Sequence, residues 1–154
     1  MLHNSQLELN GSGGSRLLTG NHSLYELVEN TIATFHQTPS ALIYNSGYNA
    51  NIGVLSCIPQ RNDVILFDEF CHASIREGIG MSHAKSYKFK HNDLEDLELK
   101  LKKFSSYDTT YIITESVFSM DGDSPDIDRL IQLSNIYNCK IILDEAHAIG
   151  VFGE

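Results

Sequence analysis

Short, nearly continuous apolar runs alternate along this chain with segments whose apolar residues fall three and four apart, and the alternation predicts the elements. From Ser23 to about Gln37, Leu24, Leu27, Val28, Ile32 and Phe35 keep helical spacing while Glu26 and Glu29 lie on the charged face. "SALIYN" (40–45) then reads as a buried strand, "SGYNANIGVLSCI" as a turn into a helix, "DVILFDE" as a strand and "HASIREGIGMS" as another helix. "AKSYKFK" reads as a short strand. In "NDLEDLELKLKKF", Leu94, Leu97, Leu101 and Phe104 share a helix face, with Asn92 expected as the N-cap and Glu95 three residues later. "TYIITE" is a further strand. Ser124 and Pro125 are expected to cap and open the helix "PDIDRLIQLSNIYN", and "KIILD" closes the series as a strand.

Strands that are apolar on both faces, separated by helices, imply a parallel or mostly parallel sheet covered on both sides, hence an α/β three-layer sandwich. No repeat, low-complexity tract or linker interrupts it. In such sheets ligands sit beyond the carboxyl ends of the strands. The polar clusters fall there: "SGYNAN" after "ALIYN", "CHAS" after "VILFDE", "SVFSMDGD" after "YIITE", and "DEAH" after "KIIL". Four strands are thus expected to deliver polar residues to one edge.

Composition narrows the partners. The 154 residues, 42% hydrophobic, suffice for a real core, and length suggests one domain or part of a larger one. Eleven basic against twenty acidic residues, a formal charge of -9, speak against a phosphate backbone as partner, so no nucleic acid is expected. Cys57, Cys71 and Cys139 are odd in number and lack CxxC spacing, so they read as buried thiols of a reducing, cytoplasmic compartment. No run approaches the ~18 apolar residues of a membrane span, and "MLHNSQLELN" lacks the regions of a signal peptide. A soluble protein is the expectation.

"DEAH" at 144–147 is also the emblem of a class of helicases. There the acids hold magnesium beside an upstream glycine-rich loop that ends in Gly-Lys. No Gly-Lys pair occurs in this chain, and the acidity points the same way, so a nucleotide motor is set aside. Asp144, at the end of a buried strand, calls for a cationic partner or serves as a helix cap. Asp121 and Asp123 could suggest calcium, yet "SMDGDSP" lacks the other ligands of a calcium loop and reads as a turn. No metal is expected.

Taken in order, "GSGGSRLLTGNH", "SGYNAN", "DEFCHASIREG", "HND", "TESVFSMDGDSPDI" and "LDEAHAIGVFG" resemble the pyridoxal-phosphate-dependent α-oxoamine synthases. The resemblance covers almost the whole chain from Gly11 onward. It implies the aspartate-aminotransferase-like fold, fold type I, with residues 1–154 forming part of the cofactor-binding large domain. It further implies pyridoxal 5'-phosphate as cofactor, an amino acid and an acyl-CoA or other acyl thioester as substrates, and a homodimer in the complete protein. The nearest likeness is to the member that joins L-alanine to a pimeloyl thioester, with loss of CO2, in biotin synthesis. Relatives that use glycine or serine with other acyl-CoAs stay open.

Carried over residue by residue, the resemblance implies that Asp144 faces the pyridine nitrogen and His147 the phenolic oxygen. His72 would stack over the ring, or else merely enter a helix. Gly47 and Tyr48 open a helix whose free N–H groups and dipole suit a phosphate. Ser119 would contact the cofactor or cap its loop. Asn51 and Glu115 stand near the site or brace loops, and Arg16 approaches the substrate or the partner subunit. The family's cofactor-bearing lysine follows a Ser/Thr-rich motif well downstream of "DEAH". Lys85, Lys88, Lys90, Lys100, Lys102, Lys103 and Lys140 have no such context. The expectation is therefore a piece, or one half, of an oxoamine synthase that is inactive alone and lacks the N-terminal arm, the lysine segment and the C-terminal small domain. The alternative is a non-catalytic relative that binds cofactor or a partner.

Overall fold

The computed structural model describes residues 12–152, which fall into two compact units dividing after Tyr44. In the first unit a tight turn, closed by the Leu18 and Gly20 N–H groups donating to the Ser15 carbonyl at 2.9 Å, leads to α1 (Ser23–Phe35). His22 caps α1, its Nδ1 accepting from the Leu24 N–H at 3.0 Å. The helix matches its spacing, but only Ala33 among its residues is buried, and Leu27 and Phe35 are exposed. The expected strand at 40–45 does not form. It has no ladder partner among the described residues, and the Ile43 N–H donates instead to the Glu29 carboxylate at 2.9 Å. An apolar run alone supplies no acceptor for its backbone, which only a neighbouring strand or a side chain can do.

The second unit carries α2 (Gly47–Cys57), β1 (Val64–Asp68), α3 (Ala73–Met81), β2 (Lys85–Phe89), α4 (Leu94–Lys103), β3 (Thr110–Glu115), α5 (Ile127–Tyr137) and β4 (Lys140–Asp144). The strands form a four-stranded sheet in the order β2-β1-β3-β4, every pair parallel, as the expected fold class requires. The pleat sorts side chains by parity. Val64 and Leu66 of β1 and Ile112 of β3 pack with Leu97 and Leu101 of α4 and Leu130 and Leu133 of α5. Ile65 and Ile113, one residue out of phase, pack with Leu55 of α2 and Ile75 and Ile79 of α3. Each fully buried aliphatic residue contributes about 1.5–3 kcal/mol, which makes the sandwich the stable arrangement. On the second face α2 and α3 approach closely: a Cβ on Gly78 would lie 2.9 Å from the Asn51 carbonyl oxygen and 3.1 Å from Ile52 Cα. Glycine is required there by contact rather than by φ.

Two caps differ from expectation. Asn92 does not cap α4; it sits in the left-handed region (φ 53°) and its N–H donates to Asp68 at 2.9 Å. Asp93 takes over, accepting from the Asp96 N–H at 2.9 Å. Likewise Asp126, not Ser124, caps α5 by accepting from the Arg129 N–H at 3.0 Å. In both cases a carboxylate one or two residues on meets the helix dipole better than a neutral side chain. Asn138, at φ 49°, closes α5. Cys71 and Cys139 are buried, whereas Cys57 is exposed at the end of α2.

Candidate active site

The register of β3 and β4 sets Glu115 beside Asp144. Parity places both on the face covered by α2 and α3, in line with Ile113 and Ile142. Two acids thus arrive side by side at the carboxyl edge. Glu115 is buried, and its Oε1 accepts the His72 backbone N–H at 2.6 Å. Burial pushes the Glu115 carboxyl above the ordinary carboxylate range; the His72 N–H opposes the shift and the neighbouring Asp144 adds to it. Asp144 is half-buried, its Oδ1 accepting from the Ala146 N–H at 3.0 Å and its Oδ2 from Asn51 Nδ2 at 2.8 Å.

Asn51 reaches this edge from α2 and also donates to Ser74 Oγ at 3.0 Å. Ser74, buried in the first turn of α3, lies 2.7 Å from His72 Nδ1, and that nitrogen also accepts the Ser74 N–H at 3.2 Å. His72 is therefore the N-cap of α3, and its Nε2 has no partner among the described residues. The Tyr48 ring stands edge-on to His72 with centroids 6.2 Å apart, and its hydroxyl donates to Glu77. At the start of α2, Ser46 Oγ accepts from the Asn49 N–H at 3.1 Å, while the N–H groups of Gly47 and Tyr48 find no acceptor among the described residues. An added Cβ at Gly47 would meet nothing within 4 Å among the described residues, so the backbone there is uncrowded on that side.

The structure brings Asn51, His72, Glu115 and Asp144 into one hydrogen-bonded cluster, with Tyr48 against it. His147 is exposed in the turn after β4, close enough to Glu115 to oppose the rise of its pKa. Ser119 lies outside the cluster, exposed at the tip of a turn closed by the Gly122 N–H donating to the Phe118 carbonyl at 2.8 Å. Arg16 belongs to the first unit. There it grips Glu29 with two nitrogens, at 2.5 and 2.9 Å, donates from Nε to Asn21 at 3.1 Å and lies 4.3 Å over the Tyr25 ring. Sequence reasoning missed Ser74 and Glu77. The signal for both was spacing: two and five residues beyond His72, they fall on the first turns of α3.

Unpaired N–H donors at a helix start, a planar imidazole, and a carboxylate with no Lys or Arg ion-paired to it among the described residues make a donor set that fits a phosphorylated cationic ring. Among the described residues no group of three His, Cys, Asp or Glu side chains is placed to hold a metal. Fold and edge fit the class of fold type I enzymes that use pyridoxal 5'-phosphate, to which the matching family and solved structures belong. The chain belongs to the family of class I and II aminotransferases, which residues 2–154 match.

Within that family it is 49% identical over 144 residues to a putative 8-amino-7-oxononanoate synthase 2 of Bacillus velezensis, covering 94% of this chain and 37% of the relative. It is 45% identical over 144 residues to 8-amino-7-oxononanoate synthase 2 of Bacillus subtilis, with the same coverage. Among solved structures, serine palmitoyltransferase of Sphingomonas wittichii superposes with a TM-score of 0.88 at 33% identity, covering 94% of this chain and 36% of that one. The 8-amino-7-oxononanoate synthase of Francisella tularensis gives 0.73 at 33% identity, covering 93% and 38%. The chain spans rather more than a third of the length of the curated relatives it matches.

Proposed function

We propose that these residues are the cofactor-binding portion of the large domain of an α-oxoamine synthase, which condenses an amino acid with an acyl thioester and releases CO2. L-Alanine and a pimeloyl thioester are the substrates we favour, because the relatives at 45–49% identity are named 8-amino-7-oxononanoate synthases. The observation that carries the reading is the linked set Asp144, Asn51, Ser74 and His72 beside the uncrowded start of α2.

Pyridoxal 5'-phosphate supplies, when bound, a protonated pyridine ring that draws electrons from an amino acid's α-carbon. In this reading Asp144 holds the proton on the ring nitrogen, and its hydrogen bond from Asn51 aims the carboxylate. His72 covers the ring, while Tyr48 limits how far the imidazole can turn. The N–H groups of Gly47 and Tyr48 bind the phosphate. His147 donates to the ring's oxygen, and Ser119 reaches the cofactor from the β3–α5 loop. Glu115 holds the His72 backbone in place, and Arg16 serves substrate or partner subunit.

The lysine that joins the cofactor and moves the α-proton is proposed to come from outside residues 1–154. Lys85 and Lys88 lie on edge strand β2, with two strands between it and β4; Lys90 follows that strand; Lys100, Lys102 and Lys103 lie on α4 on the opposite face. Lys140 begins β4, about 13 Å of strand from Asp144. Alone, then, the chain is proposed to be inactive. The complete protein is taken to be a cytoplasmic homodimer; no helix among the described residues is long and apolar enough to cross a membrane.

The test incubates this chain, and separately a complete protein containing it, with pyridoxal 5'-phosphate and then borohydride. The expected outcome is no stoichiometric adduct on any single lysine of the chain alone, and one adduct in the complete protein. The complete protein is then supplied with alanine, glycine or serine and several acyl thioesters. A stoichiometric adduct on one of the seven lysines here would sink the missing-lysine reading. Turnover with serine or glycine ahead of alanine would overturn the substrate choice.

A further inference from the structure

The contact that sets the direction of the hydrogen bonds around Ser74 is its own backbone N–H, which points at His72 Nδ1. A carboxylate accepts and never donates, so the Asn51 atom 2.8 Å from Asp144 Oδ2 is the amide nitrogen. That nitrogen's second hydrogen goes to Ser74 Oγ at 3.0 Å. His72 Nδ1 receives the Ser74 backbone N–H at 3.2 Å, so it carries a lone pair and no proton. Ser74 Oγ, 2.7 Å away, then directs its own hydrogen to the same lone pair, which the Ser74 N–H shares more weakly from 3.2 Å. The neutral imidazole is left with its proton on Nε2.

We propose that Ser74 is a positioning residue that, with Asn51, ties His72 to Asp144 and holds the imidazole as its Nε2–H tautomer, so that His72 presents a hydrogen-bond donor to whatever lies beyond the ring. The ligand class that fits such a donor is one with an anionic or carbonyl oxygen, as an amino acid or an acyl group has. This part rests on the proposed function; the tautomer does not. Two features make the arrangement stiff. Ser74 is almost wholly buried, at 1% exposure, so no water competes for its hydroxyl. Its helix also sits on α2 at the Gly78 contact, which fixes the spacing between Asn51 and Ser74. Orienting a ligand's hydrogen bond through the tautomer set by the other ring nitrogen is a general use of histidine.

The experiment is long-range proton–nitrogen NMR of the 15N-labelled full chain, with the His72 ring assigned by His72→Gln and read at a pH where the imidazole is neutral. The expected result is a signal dominated by Nε2–H. In Ser74→Ala the Nδ1–H population relative to Nε2–H rises roughly tenfold, the loss of one buried hydrogen bond. Ser74→Thr, which keeps the hydroxyl, restores the original ratio. A role in packing alone would lower the stability of Ser74→Ala and leave the ratio unmoved, which overturns the proposal. So does a dominant Nδ1–H in the unsubstituted chain, a measurement that needs no variant to fold. Titration with pyridoxal 5'-phosphate, read by absorbance, separates the two claims. Weaker binding in Ser74→Ala that Ser74→Thr restores supports the link to the ligand. An Nε2–H tautomer in the chain, beside a complete protein that binds no cofactor, overturns the proposed function and leaves the positioning intact.

Discussion

Two acidic clusters stand at the same edge of the sheet, on opposite faces, and they are compensated differently. On the α4/α5 face, Asp68 is fully buried, yet its carboxylate accepts from the Phe70 N–H, the Asn92 N–H and His91 Nδ1 at 2.8–2.9 Å. His91 in turn meets Asp123 through Nε2 at 2.9 Å and stacks on Phe70 with centroids 4.3 Å apart. Burial works to lower the His91 pKa, but the hydrogen bonds to Asp68 and Asp123 outweigh it and hold the ring protonated above its ordinary range. On the α2/α3 face, Glu115 and Asp144 lie side by side with only neutral donors and nearby histidines around them. The first cluster has a cationic partner of its own in His91; the second has no Lys or Arg ion-paired to it among the described residues. A buried acid points to a ligand only after its partners have been counted.

The sharpest contrast comes from removing one charge on each face. Asp68→Asn turns an amide toward groups that need an acceptor, and should cost about 3 kcal/mol in denaturant unfolding. Asp144→Asn, with fewer donors to disappoint, should cost under about 1 kcal/mol, yet weaken pyridoxal 5'-phosphate binding in the complete protein by ~10²-fold or more. Equal destabilisation by the two would break the distinction between a structural and a ligand-facing acid.

Gly78→Ala acts on the second cluster through its scaffold. The new methyl has to push α3 off the Asn51 carbonyl, so a stability loss of about 1–3 kcal/mol is expected in thermal or denaturant melts, together with weaker cofactor binding. Glu115→Gln should go the other way. Because the folded state raises this carboxyl above 4.5, folding is favoured while it is protonated, and that advantage is lost as pH rises through the raised value. Glutamine keeps an acceptor for the His72 N–H without the charge, so the melting midpoint at pH 7 should rise by about 1–3 °C, with the gain vanishing near pH 4. A fall at pH 7 would mean that burial, with Asp144 beside it, does not hold this carboxyl above its ordinary range.

The smallest effect is expected in the first unit, where Glu29 is an acid fully answered by Arg16 and the Ile43 N–H. The Arg16 hydrogen bond, with that N–H, holds Glu29 well below its ordinary 4.5, at about 2. Its contribution is present above 4.5 and disappears as pH falls toward about 2. Glu29→Gln should lower the melting midpoint at pH 7 by on the order of one degree, and the two curves should merge in acid.

Much of this was legible along the chain. The elements of the second unit, the parallel sheet and the polar edge all follow from local spacing, because helix and strand periods differ and a covered parallel sheet needs strands apolar on both faces. Asn51, His72, Glu115 and Asp144 were named from motifs and do converge. Ser74 was not named, since a serine in the first turn of a helix resembles any other until its neighbours from α2 are known. The expected strand at 40–45 and the caps at Asn92 and Ser124 failed for a related reason: each depended on which acceptor the backbone would find.

By itself, then, the order of residues determined where helices and strands lie, which residues face the core, and which polar groups reach the carboxyl edge. These depend on contacts only a few residues apart. Tertiary structure decided which acid is neutralised and which is left open, because charge compensation joins β1 to the β2–α4 turn and the β3–α5 loop, residues 23 to 55 apart in sequence. It also decided the links from Asp144 to Asn51 and from Asn51 to Ser74, since a hydrogen bond forms wherever packing sets a donor and an acceptor about 3 Å apart, and packing is a property of the whole unit.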